Sequence, residues 1–280
     1  MGPRSKPSPG RSTRSGPADP TPAVIRSAAN ARLRWVRELH ADRRAREHAG
    51  VFLLEGSRLA GEALVAGASA HLALRTPDLD PSSAFIAESL ARSGCEVITV
   101  LPQLLASVSD ARTAPGLLVV AERPRLAPPS PLRLALIADR LADPGNFGSL
   151  MRTCLAAGVE ALFTTPGTVD PYNPKVVRGA MGAHFHLPLA HLDGGPDSSA
   201  LAGLEVWLME PSAGLAYDRV DWSRPVALVL GSEAHGLDPS WRRRAVGSVH
   251  IPMHSASESL NAAVAAAVVL FEIARQRGSP

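Results

Sequence analysis

The sequence predicts an α/β fold made of two units, and three observations lead to this prediction. Short apolar runs alternate with helix-like stretches along most of the chain, which is the pattern of βα units. A proline-rich segment at residues 122–131 has no apolar periodicity and reads as a stiff linker. The hydrophobic fraction, 45% of 280 residues, is enough for a proper core. We therefore expect a small α/β unit over residues 23–121 and a larger unit, with a mostly parallel sheet, over residues 132–280.

The chain begins with a basic region. Residues 1–22 are mainly Pro, Gly, Ser and Arg, and with so few apolar side chains they are predicted to form a disordered arm. Residues 27–49 are predicted as a helix with one apolar side, ended by Gly50. Between positions 26 and 47, seven arginines accompany three acidic residues. Such a basic front end suggests a polyanionic partner, and a solvated helix face is the simpler alternative.

Both units then alternate strands and helices. In the first unit, strands are predicted at residues 51–55, 71–75, 96–101 and 116–121, with helices after Gly56 and from about Pro81. In the second unit, strands are predicted at residues 134–138, 161–164, 206–209, 226–230 and 248–251, and helices at residues 147–157, 174–181, 239–245 and 259–276. The last helix is apolar nearly all round, so we expect it to be buried, in part against another subunit.

Three polar loops follow apolar strands of the second unit, at the sheet edge where open α/β sheets bind ligands. In the first loop, residues 138–152, an Asp-Pro-Gly turn precedes Asn146, which is predicted to cap the next helix. Arg152 stands among apolar residues of that helix, so it is expected to pair or to reach a ligand.

The second and third loops add carboxylate, hydroxyl and amide groups at the same edge. The strand before residue 231 ends in Gly-Ser-Glu, which exposes backbone N–H groups and a carboxylate but could also be a simple helix connection. Residues 251–261 supply several hydroxyls and an amide at the start of the buried last helix, although one capping side chain would suffice. This surplus of hydrogen-bonding groups predicts a polar ligand.

Several other classes of protein are not favoured. The chain has neither a G-x-G-x-x-G after a strand nor a Walker loop, H-E-x-x-H or G-x-S-x-G motif. Two cysteines cannot make a disulfide framework, and the histidine pairs lack partners at ligand spacing, so no metal site is expected. Without a membrane-length apolar run or a signal peptide, we expect a cytoplasmic protein that does not bind membranes.

The three loops, in this order and spacing, resemble the three motifs of the SpoU/TrmH family of RNA ribose 2′-O-methyltransferases, within the SPOUT superfamily. Residues 143–152, DPGNFGSLMR, resemble the first motif, and residues 230–237, LGSEAHGL, resemble the second. Residues 251–261, with Ile-Pro-Met at the start and Ser-Leu-Asn at the end, resemble the third. The front end through residue 56 resembles the family's small RNA-binding domain. The resemblance covers roughly residues 24–277.

This resemblance implies a C-terminal SPOUT-type domain, in which the parallel sheet is threaded into a trefoil knot, preceded by the small α/β RNA-binding domain. It also implies a homodimer that packs through the last helices of the knotted domains. The knot loops would hold the cofactor S-adenosyl-L-methionine in a bent form. The cofactor-binding residues carried over from the family are Met209, Glu210, Gly231, Ile251 and Leu260.

The implied reaction is attack of a ribose 2′-hydroxyl on a sulfonium methyl group. We do not expect Arg152 to be the proton acceptor, because a guanidinium stays protonated in proteins. We expect it to hold the adjacent phosphate and to stabilise developing alkoxide charge, oriented with the ribose by other catalytic residues. These are Asn146, Glu233, Ser259 and Asn261. The predicted RNA phosphate contacts are Arg32, Arg34, Arg37, Arg43, Arg44 and Arg46.

Other functions remain open from the sequence. Ribosomal RNA, in particular 23S rRNA, is favoured over transfer RNA because an added N-terminal domain is commoner in the rRNA-modifying branch of the family. Housekeeping modification and self-protection against an antibiotic are not separated. A non-catalytic RNA-binding protein of the same fold, or an enzyme that methylates a base, are the alternatives.

Overall fold

The first unit is built on a five-stranded mixed sheet. The computed structural model describes residues 24–109, 116–232, 235–254 and 260–278, so the predicted basic arm lies outside the described residues. The strands are β1 (Val24–Ile25), β2 (Val51–Glu55), β3 (Ala70–Arg75), β4 (Glu96–Val100) and β5 (Leu117–Glu122). The helices are α1 (Ala31–Ala41), α2 (Arg43–Ala49), α3 (Gly56–Val65), α4 (Pro81–Arg92) and α5 (Pro102–Ala106).

Both faces of this sheet are covered by helices. The strand order is β1-β4-β3-β5-β2, and β4 runs parallel to β1 and β3 whereas β5 runs antiparallel to β2 and β3. Apolar residues of α1 and α5, such as Leu33 and Leu105, pack on one face. Those of α3 and α4, such as Leu59 and Leu90, pack on the other. The strands therefore read as apolar runs, because they are buried on both sides.

The single helix predicted over residues 27–49 is wrong, since the structure has two helices there. Asp42 separates α1 from α2 with an extended backbone, φ −115° and ψ 121°. Its carboxylate accepts a hydrogen bond from the backbone N–H of Arg44 at 2.8 Å and so caps α2. A short polar side chain that can bond its own backbone favours such a cap over a helix interior.

The second unit is built on a parallel sheet of seven strands within the described residues. These are β6 (Leu134–Asp139), β7 (Ala161–Thr164), β8 (Leu189–His191), β9 (Glu205–Met209), β10 (Leu215–Ala216), β11 (Val226–Gly231) and β12 (Gly247–His250), in the order β10-β12-β9-β11-β6-β7-β8. Every neighbouring pair is parallel. The helices are α6 (Pro144–Ala156), α7 (Pro174–Ala180) and α8 (Ala262–Gln276).

The two faces of this sheet are covered differently. The helices α6, α7 and α8 pack on one face and bury residues such as Phe147, Val176 and Val269. On the other face, short 3-10 helices contribute Leu201 and Trp241 to a second core cluster. The residues predicted as a helix over 239–245 form one of these, Pro239–Arg243.

Glycines let α6 lie close against α7. A Cβ atom on Gly148 would lie 2.9 Å from the carbonyl oxygen of Val176 and 3.0 Å from the Cα of Gly179. Contacts this short leave no room for a side chain at position 148. The crossing therefore fixes the position of α6, the helix that carries Asn146 and Arg152.

The two units share a packed interface. The ring of Phe52 in β2 lies 5.3 Å from that of Tyr172, 5.6 Å from that of His184 and 5.7 Å from that of Phe185, measured between centroids. These distances are in the range of favourable aromatic pairs. Burial lowers the pKa of His184 to about 4, so its ring is neutral at physiological pH.

Candidate active site

The carboxyl ends of β9, β11 and β12 surround a cavity of about 390 Å³. Its walls are largely apolar and include Leu230, Val249 and Val269. Polar groups lie among them, namely Ser232, His235 and His250. Apolar walls with a few placed polar groups are typical of small-molecule sites, and the volume lies within their usual range.

The five residues predicted to bind the cofactor all line this one cavity. They come from three segments that are distant in sequence, and the parallel sheet brings the ends of their strands together. They are Met209, Glu210, Gly231, Ile251 and Leu260.

The loop that follows Gly231 is closed at its neck by two backbone hydrogen bonds. The N–H of Gly236 donates to the carbonyl oxygen of Ser232 at 2.7 Å, and the N–H of Ser232 donates to that of Gly236 at 3.2 Å. A Cβ atom on Gly231 would lie 2.6 Å from the carbonyl carbon of Gly236 and 2.7 Å from the nitrogen of Leu237. Glycine is required at position 231 because the returning backbone passes so close.

The carboxylate of Glu210 is engaged on both oxygens. Arg242 donates to one oxygen and the hydroxyl of Ser248 donates to the other, each at 2.5 Å. The Glu210 side chain is 13% exposed, whereas that of Arg242 is 66% exposed. Arg242 also lines the cavity. It could not be predicted from the sequence, because nothing in its local pattern distinguishes it from a surface arginine.

Asn146 and Asn261 are brought together from α6 and α8. The Nδ2 of Asn261 donates to the Oδ1 of Asn146 at 2.8 Å. The Oδ1 of Asn261 accepts from the backbone N–H of Ala263 at 3.0 Å, so Asn261 is the cap of α8. Because its oxygen is held by the helix, its amide nitrogen must face Asn146.

The prediction that Asn146 caps α6 is wrong. Asp143 is the cap, and its carboxylate accepts from the backbone N–H of Asn146 at 2.7 Å. A carboxylate at this position also interacts favourably with the positive end of the helix dipole. The Asn146 side chain is therefore used in the pair with Asn261.

Arg152 lies on the exposed side of α6. The buried side carries Phe147, Leu150, Met151 and Cys154, whereas Arg152 shares an exposed stripe with Ser149. Among the described residues it has no hydrogen bond or ion pair. It follows Asn146 by six residues, about 9 Å along the helix axis. The predicted catalytic residues Glu233 and Ser259 lie outside the described residues.

Most of the predicted phosphate contacts lie at the surface of α1 and α2. Arg32, Arg34, Arg43 and Arg44 are exposed, and Arg37 is half-buried. Two of them form exposed ion pairs, Arg32 with Glu96 at 2.9 Å and Arg43 with Glu47 at 2.6 Å.

The prediction that Arg46 is the sixth phosphate contact is wrong. Its side chain is 3% exposed and pairs with Asp170 of the second unit at 2.6 Å. It also donates to the carbonyl oxygen of Leu39 at 2.6 Å. A buried guanidinium with these partners holds the two units together and cannot reach a phosphate.

Two negative observations apply to the described part of the chain. It contains no cluster of three or more His, Cys, Asp or Glu side chains that could hold a metal ion. It also contains no helix long and apolar enough to cross a membrane.

Both units of the chain are similar to known protein families. The sequence model of the SpoU rRNA Methylase family matches residues 133–271, and that of the MRM3-like substrate binding domain matches residues 30–119. The 23S rRNA (uridine(2479)-2'-O)-methyltransferase of Streptomyces viridochromogenes is 32% identical over 92% of this chain and 94% of its own length. The chain belongs to the SpoU rRNA methylase family. The predicted family and the α/β fold with its parallel sheet are thereby confirmed.

One more relative and one solved structure of this family are also similar to the chain. The 23S rRNA (guanosine(2553)-2'-O)-methyltransferase RlmP of Bacillus subtilis is 29% identical over 89% of this chain and 98% of its own. The crystal structure of the SpoU methyltransferase AviRb from Streptomyces viridochromogenes, in complex with the cofactor AdoMet, superposes with a TM-score of 0.77. That structure is 29% identical in sequence, over 90% of this chain and all of the other.

Proposed function

We propose that this SpoU family member transfers a methyl group from S-adenosylmethionine to a ribose 2′-hydroxyl of 23S rRNA. The observation that carries the proposal is the cavity of about 390 Å³ beside the pair of Asn146 and Asn261. Leu260 and Ala262, the neighbours of Asn261, both line that cavity. A bound cofactor and the side chains that act on the ribose would thus be adjacent. Both named relatives act on 23S rRNA.

The cavity residues fit a nucleoside cofactor. Ile251 and Leu260 supply apolar surface for an adenine ring, and the ends of β9 and β11 supply backbone groups. The carboxylate of Glu210, held by Arg242 and Ser248, supplies an acceptor for hydroxyl or amino groups. When bound, S-adenosylmethionine supplies an electrophilic methyl group on its sulfonium.

Arg152 is proposed to act on the RNA. Its guanidinium binds the phosphate next to the target ribose and stabilises the negative charge that develops on the 2′-oxygen. The Asn261 cap turns its amide nitrogen towards the oxygen of Asn146, and this contact links the starts of α6 and α8 beside the cavity. Asn146 is proposed to orient the ribose from this position. Glu233 and Ser259 keep their proposed orienting roles.

The basic surface of α1 and α2 is proposed to hold the RNA backbone. It comprises Arg32, Arg34, Arg37, Arg43 and Arg44, with Arg46 excluded because it is buried. Contacts to phosphate supply affinity without sequence information, and they weaken as salt concentration rises. A cytoplasmic location is also proposed, because the two named bacterial relatives act on 23S rRNA.

A homodimer is proposed to form through α8. Val264 and Phe271 lie seven residues apart on one stripe of α8 and are about half exposed, 50% and 51%. Exposed apolar side chains in line on a helix are typical of a subunit interface. A second copy of the chain would cover them, as the family resemblance implies.

Two measurements test the proposed function. Isothermal titration of the purified chain with S-adenosylmethionine should show binding, and absence of binding would favour a non-catalytic RNA-binding protein. Incubation with the cofactor and either 23S rRNA or tRNA should methylate the 23S rRNA. Preferential methylation of tRNA would support the tRNA alternative instead.

A further inference from the structure

The loop after β11 is described at Gly231–Ser232 and at residues 235–237, and the end of β6 contacts the chain where this loop ends. Asp139, the last residue of β6, has a side chain only 3% exposed. One carboxylate oxygen accepts from the backbone N–H of Asp238 at 2.7 Å, directly after the loop. The other accepts from the hydroxyl of Thr165 at 2.8 Å. Both oxygens of this buried carboxylate are thus satisfied, and one of them anchors the chain where the loop ends.

Arg140 contacts the same loop from the next position. Its Nη2 lies 3.5 Å from the carbonyl oxygen of Gly236, the atom that also closes the neck of the loop by accepting from Ser232. Its Nη1 lies 3.7 Å from a carboxylate oxygen of Asp238. The backbone of Arg140 is left-handed, with φ 58°, which is strained for a residue that has a Cβ. The chain keeps this strained conformation at the point where the side chain reaches the loop.

The described residues of the loop line the proposed cofactor cavity. Ser232, His235, Gly236 and Leu237 line that cavity, whereas Asp139 and Arg140 do not. Because a bound ligand gains affinity when its site is already ordered, any contact that fixes the loop raises affinity without touching the ligand.

We propose that Asp139 and Arg140 are positioning residues that hold the described ends of this loop, Gly231–Ser232 and residues 235–237, in place beside the cavity and so set the affinity for S-adenosylmethionine. This rests on the proposed placement of the cofactor in the cavity. The effect on the loop itself does not depend on that placement, because the contacts join protein atoms only.

The test uses the full chain and two readouts. Hydrogen exchange of the amides in residues 232–238, measured without cofactor, reports on the loop. Isothermal titration with S-adenosylmethionine reports on affinity. In Asp139→Ala the amide of Asp238 loses its acceptor, so we expect faster exchange and a dissociation constant raised about tenfold or more. The kcat at saturating cofactor should change by no more than about twofold, because neither residue touches the reacting atoms.

Three further variants sharpen the test. Asp139→Asn can still accept from Asp238 and donate to Thr165, so its effect should be clearly smaller. Arg140→Asn keeps a residue that tolerates a left-handed backbone but removes the guanidinium, and it should also speed exchange and weaken binding. Asp193→Ala removes an exposed carboxylate near Arg140 that has no described contact with the loop, and it should match the wild type.

The outcomes separate this proposal from the proposed function. A folded Asp139→Ala variant with wild-type exchange and wild-type affinity would overturn it. Should that variant not fold, an Arg140→Asn variant with both readouts unchanged would overturn it equally. If the wild type bound no cofactor, the proposed function would fail, while faster loop exchange in the variants would still support the positioning role.

Discussion

At the scale of single residues, the proposed role of Arg152 predicts that methyl transfer can be lost without loss of cofactor binding. It does not line the cofactor cavity, and it is exposed on α6 without a described partner. Arg152→Ala should therefore abolish methyl transfer while leaving the affinity for S-adenosylmethionine nearly unchanged. Arg152→Lys should also be inactive, because an ammonium lacks the planar fork that grips a phosphate. The measurements are a methylation assay and isothermal titration, and loss of cofactor binding in either variant would refute the assignment.

Gly231 offers a second test at this scale. In Gly231→Ala the added methyl would meet backbone atoms of Gly236 and Leu237, which cannot move aside as a flexible side chain could. We expect a loss of about 1–3 kcal/mol in the free energy of unfolding and weaker cofactor binding. Gly61→Ala in α3 is the matched control, since its methyl would meet only the side chain of Ile86 at 3.4 Å. Equal behaviour of the two variants in thermal denaturation and titration would contradict the proposed role of Gly231.

The proposed site residues rest on different grounds. The surplus of polar groups predicted only a polar ligand at the third loop, whereas the roles of Asn146, Gly231 and Asn261 came from the family resemblance and stay predictions. Arg46 and Arg242 were not assignable, because their partners Asp170 and Glu210 are remote in sequence. Local pattern contains no information about such partners, and an arginine that pairs with a distant carboxylate looks like any other surface arginine.

At the scale of elements, two arginines of α2 are expected to act differently, Arg46 in stability and Arg44 in RNA binding. Arg46→Ala would leave the Asp170 carboxylate buried and unpaired, so we expect a loss of about 3–5 kcal/mol in the free energy of unfolding. Arg44→Ala, two residues away and exposed, should change stability by no more than about 0.5 kcal/mol. It should weaken RNA binding instead and reduce the salt dependence of binding by about one phosphate contact.

These effects can be measured by denaturant unfolding and by RNA binding over a series of salt concentrations. A stable Arg46→Ala variant would contradict the buried ion pair. RNA affinity that changes neither with salt concentration nor with the Arg44→Ala substitution would contradict the proposed role of the basic surface.

The segment containing His184 predicts a pH dependence of stability. Burial lowers the pKa of His184 to about 4, and the Nε2–H donates to the carbonyl oxygen of Pro171 at 2.7 Å. The unfolded state, with a pKa near 6.5, binds a proton first as the pH falls. His184 should therefore destabilise the fold progressively from about pH 6.5 down to about pH 4, by about 3 kcal/mol in total.

The matched variant is His184→Gln, which can donate to Pro171 but does not titrate. The difference in unfolding free energy between wild type and variant should shrink as the pH falls through this window. A difference that stays constant between pH 7 and pH 4 would show that His184 is not buried in its neutral form.

Strands were predicted correctly where both of their faces are buried in the sheet. The strands β7 and β11 were recognised because continuous apolar runs mark buried parallel strands. β8 and β10 were missed because they are only three and two residues long, lie at the edges of the sheet and have exposed residues. The break between α1 and α2 was missed because only the cap geometry at Asp42 shows where the first helix ends.

At the scale of the whole molecule, the apolar stripe of α8 predicts assembly. Phe271→Glu places a charge in the proposed interface at a position already half exposed in the single chain, so folding should survive while the dimer dissociates. Val65→Glu, at an apolar position 84% exposed in the first unit, is the control and should remain dimeric. Sedimentation or light scattering would give the masses. A monomeric wild type, or a Phe271→Glu variant that stays dimeric, would contradict an interface through α8.

A packed interface connects the unit that carries the proposed RNA-binding surface to the unit that carries the cavity. The aromatic packing around Phe52 and the buried pair of Arg46 and Asp170 join the basic surface to the sheet that carries the cavity. The two-unit architecture and the parallel sheet could be predicted from the alternating pattern. The trefoil knot stays a prediction from the family resemblance, because threading depends on how distant loops pass each other and leaves no periodic signal in the sequence.

Mapping the transferred methyl group is the most direct test of the proposed 2′-O-methylation of 23S rRNA. Purified protein would be incubated with isotopically labelled S-adenosylmethionine and 23S rRNA from cells that lack the gene, followed by nuclease digestion and mass spectrometry. We predict a label on the ribose 2′-oxygen of a 23S rRNA nucleotide, absent when Arg152→Ala replaces the wild type. A label on a base, or no label in 23S rRNA with the wild-type protein, would contradict the proposed function.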